Sequence, residues 1–114
     1  MSPPSHTRLL VHGRIAAPLE VATTHRARSR GLLGRDGIDG ALLLPGARQV
    51  HTFRMRFPID VAHVARDGTV LAVTTMPPGR LGAWRPRSRA VIEAAAGAFA
   101  GWGLTPGVRL EWHR

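Results

Sequence analysis

Two β-rich stretches of this sequence, residues 61–66 and 69–74, are joined by Asp67 and Gly68 alone. A two-residue Asp-Gly connection favours a type I′ turn, because glycine accepts a positive φ without strain and aspartate tolerates it. The register predicted for this hairpin pairs Val64 with Leu71, Ala62 with Val73, and His63 with Ala72. Since both faces of the hairpin are apolar, we expect it in the interior of a sheet and not at an open edge.

Short strands separated by turn residues account for most of the remaining sequence. We predict strands within residues 8–15, 19–22, 41–44, 89–94 and 108–113, with a turn at Ala17 and Pro18 between the first two. A helix is predicted over about residues 25–33 and a shorter helical turn over about residues 97–104. Parallel βαβ units are not supported, so the predicted fold class is α+β, predominantly β: a small antiparallel, barrel-like sheet with one main helix.

Length and composition exclude several classes of protein. A chain of 114 residues has room for one domain, predicted over residues 1–114 with a flexible N-terminus at about 1–7. The absence of cysteine excludes a disulfide-stapled module and any thiolate metal site. No apolar run approaches the roughly 20 residues that span a bilayer, and the first residues lack the regions of a signal peptide. We therefore expect a soluble, cytoplasmic protein without a membrane span.

The formal charge of +9 permits binding to nucleic acid or to another anionic surface. All 16 basic residues are arginine, and they are scattered along the sequence and do not form one stripe. Aromatic residues for base stacking are few, since tyrosine is absent. A compositional bias explains the arginines better than a nucleic-acid partner, which remains the less favoured hypothesis.

Residues 49–60 carry polar side chains within an apolar pattern. If the segment is extended, His51 and Met55 point to one side and Thr52 to the other. His51 can be a hydrogen-bonded core residue, a ligand or a base. Asp60 can accept backbone N–H bonds, pair with an arginine, or act as a general base. Strand parity opposes an Asp60–His63 dyad, because residues three apart on a strand face opposite sides.

Other known site patterns are weak in this sequence. The six histidines have no metal-ligand spacing, so neither a metal nor a cofactor is predicted. The loop containing Gly34, Gly37 and Gly40 follows a helix and carries two aspartates, which argues against phosphate binding there. No Gly-x-Ser-x-Gly motif marks a nucleophilic serine.

Three stretches of the sequence together resemble one family, the bacterial and archaeal "domain of unknown function 192" (DUF192). They are residues 24–35, residues 51–61, and residues 91–97 leading to 103–107. The residues that match its motifs are Arg28, Gly31, Leu32, Arg35, His51, Thr52, Phe53, Met55, Pro58, Ile59, Asp60, Asp67, Gly68, Glu93 and Gly97. Arg54 and Val108 depart from the pattern. The resemblance implies a small β-rich single domain over about residues 8–113, and no established activity.

The favoured function is binding of a small ligand or a protein partner without catalysis. The candidate site combines His51, Thr52, Met55 and Asp60, with Arg28 or Arg35 near enough to pair with Asp60. Gly31 and Glu93 join this set as positions of the family motif. Two alternatives remain open: an enzyme that uses Asp60 or His51 in acid–base chemistry, and a nucleic-acid-binding protein.

Overall fold

A computed structural model describes residues 7–113 of the chain. In this range seven strands and two short helices follow one another in the order β1 (Arg8–Val11), β2 (Arg14–Val21), α1 (His25–Arg30), β3 (Ala41–Pro45), β4 (Ile59–Val64), β5 (Val70–Met76), β6 (Ala90–Ala95), α2 (Ala98–Trp102) and β7 (Leu110–His113). The strands form a single curled sheet, a half-barrel, in the order β5-β4-β6-β3-β2-β1-β7. The predicted fold class is confirmed.

One pair of strands departs from the expected antiparallel pattern. β2 and β3 are parallel, with Leu19 opposite Ala41 and Val21 opposite Leu43, and α1 lies in the connection between them. The expectation that the chain contains no βαβ unit is therefore wrong. The predicted helix ends earlier than expected, at Arg30, because Gly31 adopts a positive φ of 52° that stops it.

The two edge strands of the half-barrel meet at one end. The Val70 amide donates to the Val108 carbonyl and the Leu110 amide donates to the Gly68 carbonyl, each at 2.8 Å. Gly68 has a φ of +92°, and a Cβ atom there would lie 2.5 Å from the Leu110 carbonyl oxygen. A glycine is required in this turn both for its conformation and for the close approach of β7.

The central hairpin has the predicted Asp67-Gly68 turn but a partly different register. Ala62 pairs with Val73 and His63 with Ala72 as predicted, whereas a bulge places Val64 opposite Val70 and not Leu71. β4 lies inside the sheet, but β5 lies at its edge, so the expected interior position is confirmed for one strand only.

The first hairpin turns earlier than the sequence indicated. His12 and Gly13, both with positive φ, form its turn, and the predicted turn at Ala17 and Pro18 is wrong. Both of those residues lie within β2. A His-Gly pair is a weaker turn signal than Asp-Gly, because the pairs that two-residue hairpin loops favour are Asn-Gly, Asp-Gly and Gly-Gly.

Alternation along the central strands separates two buried layers. Ala62, Ile92 and Ala94 belong to the core on one face of the sheet, against which Phe99 of α2 packs. Val61 and Val91 belong to the core on the other face, together with Leu32 from the loop after α1. In the register Val61 lies opposite Glu93 and His63 opposite Val91, so these side chains share the second face. Asp60 projects to the first face.

The N-terminal end of the described chain is well packed. Thr7 is buried, and its carbonyl accepts a hydrogen bond from the Leu19 amide. The rest of the predicted flexible N-terminus, residues 1–6, lies outside the described residues. Between residues 7 and 113, no helix has the length and apolar character needed to cross a membrane.

Candidate functional site

The segment containing His51 and Thr52 is a series of turns and not the extended strand that the sequence suggested. Arg54 has a φ of +63°, which breaks the expected alternation of side chains. Thr52 is fully buried and fixes the segment to the loop after β5. Its hydroxyl donates to the Pro77 carbonyl at 2.7 Å and accepts from the Arg80 amide at 2.9 Å. The role of Thr52 in this structure is to hold two loops together.

We expect Thr52→Val to lower the free energy of unfolding by about 2 kcal/mol, because the Arg80 amide and the Pro77 carbonyl both lose the hydroxyl that binds them. Urea unfolding of the variant beside the wild type measures this loss. Thr105→Val, at an exposed threonine, is the matched control and is expected to leave stability unchanged. Equal stability of the Thr52 variant and the wild type would contradict the assignment.

Asp60 is buried on the face of the sheet that carries α2. One carboxylate oxygen accepts from the Thr75 hydroxyl at 2.7 Å, and the other accepts from the amides of Gly97 and Phe99 at 2.9 and 3.2 Å. These two amides begin α2, so the carboxylate satisfies donors that the helix itself leaves unpaired. Asp60 thus caps a helix that is distant from it in sequence.

The expected pairing of Asp60 with Arg28 or Arg35 does not occur. Arg35 forms a bidentate ion pair with Glu20, at 2.8 and 3.2 Å, and Arg28 lies on the opposite side of the sheet from Asp60. The sequence could not show this, because two of the three partners of Asp60 are backbone amides more than 35 residues away.

A cleft of about 310 Å³ opens on the second face of the sheet, between the end of α1 with its following loop and residues 47–55. It brings together five of the sequence-predicted site residues: Arg28, Gly31, His51, Met55 and Glu93. Thr52, Asp60 and Arg35 do not line it. Its apolar walls include Leu32, Leu44 and Val50. The cleft is therefore the candidate functional site.

Glu93 lies at the floor of this cleft, in the middle of β6. It is only 4% exposed, and within residues 7–113 its carboxyl group has no hydrogen-bond partner. Burial raises the pKa of Glu93 to about 7, because a charged carboxylate loses hydration that nothing else replaces. A Cβ atom at Gly31 would lie 3.4 Å from a Glu93 carboxyl oxygen, so glycine keeps the space above this group open.

Positive and aromatic side chains surround the mouth of the cleft. Arg28 and Arg30 are exposed, and the Arg30 Nε donates to the Leu33 carbonyl at 3.3 Å. His51 is exposed, so it is not a core histidine. Its ring stacks on Phe53 with 5.0 Å between centroids, and its Nδ1 accepts from the Phe53 amide at 3.2 Å. This arrangement favours a ligand that places an anionic group at the mouth of the cleft and a polar group at its floor.

Sequence reasoning found Glu93 only through the family motif. A signal was nevertheless present in the residues themselves: β6 reads Ala90, Val91, Ile92, Glu93, Ala94, Ala95, and a lone carboxylate in such a strand is costly unless it is used. Arg30 and the apolar walls of the cleft were not predicted, since they are brought together only when α1 folds over the sheet. No group of three His, Asp or Glu side chains suited to a metal ion occurs in residues 7–113.

The curled sheet and the cleft with its buried carboxyl define a small β-rich domain with one candidate binding site. Residues 8–112 match the family model of DUF192, described as "Uncharacterized ACR", and the chain belongs to this family. The family membership predicted from the sequence is confirmed. Among curated proteins, none matches the chain.

Two crystal structures share the fold. One, from Sinorhizobium meliloti 1021 and described as a "putative transcription regulator", is 26% identical with a TM-score of 0.76, over 93% of this chain and 91% of that one. The other, a protein of unknown function from Novosphingobium aromaticivorans DSM 12444, is 20% identical with a TM-score of 0.69, over 93% of this chain and 83% of that one. The second similarity concerns the fold alone.

Proposed function

We propose that this protein is a binding module whose cleft takes a small organic anion. The observation that carries the proposal is Glu93, a buried carboxyl without a hydrogen-bond partner in the described chain, at the floor of an open cleft. Burial of such a group without a partner costs free energy and does not stabilise the fold. A ligand that hydrogen-bonds to it would offset that cost.

The lining of the cleft defines the chemistry of the ligand. Arg28 at the mouth forms no ion pair within residues 7–113 and can bind a carboxylate or phosphate. The apolar walls suit a short hydrocarbon body, and a volume of about 310 Å³ is at the small end for ligand pockets. Glu93 can donate a hydrogen bond when protonated and accept one when ionised, so a hydroxyl group suits the far end of the ligand.

Binding is favoured over the acid–base alternative by the surroundings of Asp60. Both of its oxygens are occupied by structural hydrogen bonds, on the face of the sheet away from the cleft. His51 is exposed at the mouth and has no carboxylate partner within the described chain. Neither residue has the geometry of a base held against a substrate.

Beyond the formal charge of +9, the nucleic-acid alternative has support only from the description of the Sinorhizobium meliloti neighbour. The arginines are divided among separate concavities: Arg28 and Arg30 at the cleft, Arg80 and Arg85 at a second cavity, and Arg66 and Arg89 at a third. A nucleic-acid groove needs such charges along one surface. We therefore favour the small anion.

The proposal is tested with two probes, hexanoate and 6-hydroxyhexanoate, added to ¹⁵N-labelled protein and followed by amide chemical shifts. We expect shifts confined to residues 28–33, 47–55 and 93, with tighter binding of the hydroxy acid. Arg28→Gln is expected to weaken binding about tenfold, since a charge-assisted hydrogen bond is lost. Arg26→Gln, at an exposed arginine of α1 outside the cleft, is the control.

Hexylamine has a similar size and the opposite charge. If it binds as tightly as hexanoate, or if Arg28→Gln binds both acids like the wild type, the proposed ligand class is wrong.

A further inference from the structure

A second cavity, of about 330 Å³, lies on the same face of the sheet as the cleft but on the β5 side of residue 50, which lines both. Its polar lining consists of His63 from β4, Thr74 and Thr75 from β5, and Arg80 and Arg85 from the following loop. Met76, Val61 and Leu81 supply apolar surface. None of these polar groups belongs to the cleft assigned above.

The hydrogen bonds of Ser88 determine the tautomer of His63. The Ser88 hydroxyl is fully buried and lies 2.7 Å from the Ala47 carbonyl, 3.1 Å from the Ala90 carbonyl and 2.9 Å from His63 Nδ1. The single hydroxyl proton goes to a carbonyl, which can only accept, so Nδ1 must donate to the Ser88 oxygen. In neutral His63 the other nitrogen, Nε2, is then an acceptor, and it has no partner within residues 7–113.

This geometry excludes serine chemistry at the pair. Ser88 has no access to solvent, and its proton is directed to the main chain and not to the imidazole. The serine instead orients the ring of His63. The Nε2 atom of that ring is available to the cavity that His63 lines.

Arg85 supplies a hydrogen-bond donor to the same cavity, in which His63 Nε2 is an acceptor. The Arg85 Nε is buried and has no hydrogen-bond partner among the described residues. Burial and, to a smaller extent, the positive charge of Arg85 lower the pKa of His63 below its ordinary 6.5, so the neutral imidazole predominates at pH 7. The cavity thus presents an unused cationic donor beside an unused neutral acceptor, with a second guanidinium from Arg80.

We propose that this cavity binds a phosphate ion that retains a proton, as hydrogen phosphate does at pH 7. Arg85 and Arg80 donate to P–O oxygens, and His63 Nε2 accepts from the P–OH group. The hydroxyl group of Thr74 can complete the donor set. A sulfate ion has the same shape and charge but no proton at pH 7, so it leaves the His63 acceptor unpaired and is discriminated against.

The test titrates ¹⁵N-labelled protein with inorganic phosphate, methyl phosphate and sulfate at pH 7 and constant ionic strength. Imidazole ¹⁵N shifts report which ring nitrogen of His63 carries the proton. We expect a protonated Nδ1 before addition, and a dissociation constant for phosphate at least tenfold below that for sulfate. Methyl phosphate, whose second pKa of about 6 leaves it mostly without a P–OH group at pH 7, is expected to bind several-fold more weakly than inorganic phosphate.

Arg85→Met is expected to weaken phosphate binding at least tenfold, whereas Arg87→Gln, an exposed arginine outside the cavity, leaves it unchanged. Arg80→Gln replaces Arg85→Met if that variant does not fold. Any one of three outcomes would overturn the proposal. They are equal binding of sulfate and phosphate, a proton on Nε2 of neutral His63 before any ligand is added, and unchanged phosphate affinity in both arginine variants. Because the cleft residues are untouched, failure here is separate from failure of the organic-anion site.

Discussion

Replacing Glu93 with glutamine is expected to make the protein more stable than the wild type at pH 8, by about 3 kcal/mol in the free energy of unfolding. The cause is the burial of Glu93, which raises its pKa from 4.5 to about 7. In the folded protein the carboxyl therefore holds its proton over a pH range in which the unfolded chain has lost it. Glutamine fills the same volume and carries no charge at any pH.

The sign of the effect follows from proton binding. Between pH 4.5 and about 7 the folded state binds more protons at Glu93 than the unfolded state, so stability falls as the pH rises, by about 1.4 kcal/mol per pH unit. Below pH 4.5 both states are protonated and the contribution is fully present. Above pH 7 both are ionised, and the loss reaches its limit. The glutamine variant lacks this dependence.

Urea unfolding at several pH values between 4.5 and 8 measures the difference between the two proteins. Subtracting the curves removes the titration of other groups, which both proteins share. Asp39→Asn, which removes an exposed carboxylate, serves as the control and is expected to parallel the wild type. A constant difference between Glu93→Gln and the wild type across this range would show that Glu93 is ionised normally in the fold.

Asp60→Ala is expected to reduce the free energy of unfolding by about 3 kcal/mol. The substitution removes the acceptor for the Thr75 hydroxyl and for the Gly97 and Phe99 amides. Phe99 is buried, so its amide has no access to water as a replacement partner. The unpaired donors at the start of α2 account for most of the loss.

Two further variants separate the contributions of the individual hydrogen bonds of Asp60 to stability. Thr75→Val removes one bond and is expected to cost about 1 kcal/mol. Asp60→Asn keeps one acceptor oxygen for the two amides and can donate to the Thr75 hydroxyl, so its loss should lie between those of the other two variants. Amide hydrogen exchange in residues 97–103 should increase most in Asp60→Ala. If Asp60→Ala unfolds at the same urea concentration as the wild type, Asp60 has no structural role.

Local patterns in the sequence predicted the parts of the fold that depend on neighbouring residues. The Asp67-Gly68 turn, the strand predicted over 41–44 and the short second helix all follow from turn chemistry and from apolar runs. The sequence did not predict the parallel pairing of β2 with β3, because this pairing depends on the path of the loop after α1. The bulge that shifts Val64 to Val70 was missed because an extra residue in a ladder leaves no local mark.

The sequence predicted part of the candidate site. The motif residues Arg28, Gly31, His51, Met55 and Glu93 do converge on one cleft. The sequence could not divide the remaining polar residues into structural and exposed ones. Thr52 and Asp60 differ from Glu93 in having partners, and most of those partners are main-chain groups that no pattern of side chains reveals.

The meeting of β7 with both β1 and the start of β5 affects how the chain folds during synthesis. β7 begins at residue 110, yet it completes the pairing of a strand that begins at residue 8 and fixes the turn at Gly68. A nascent chain on the ribosome therefore holds an unpaired β1 edge until nearly all of these residues have emerged from the exit tunnel. At a synthesis rate of about 5–20 residues per second, that edge is exposed for several seconds before β7 can pair with it.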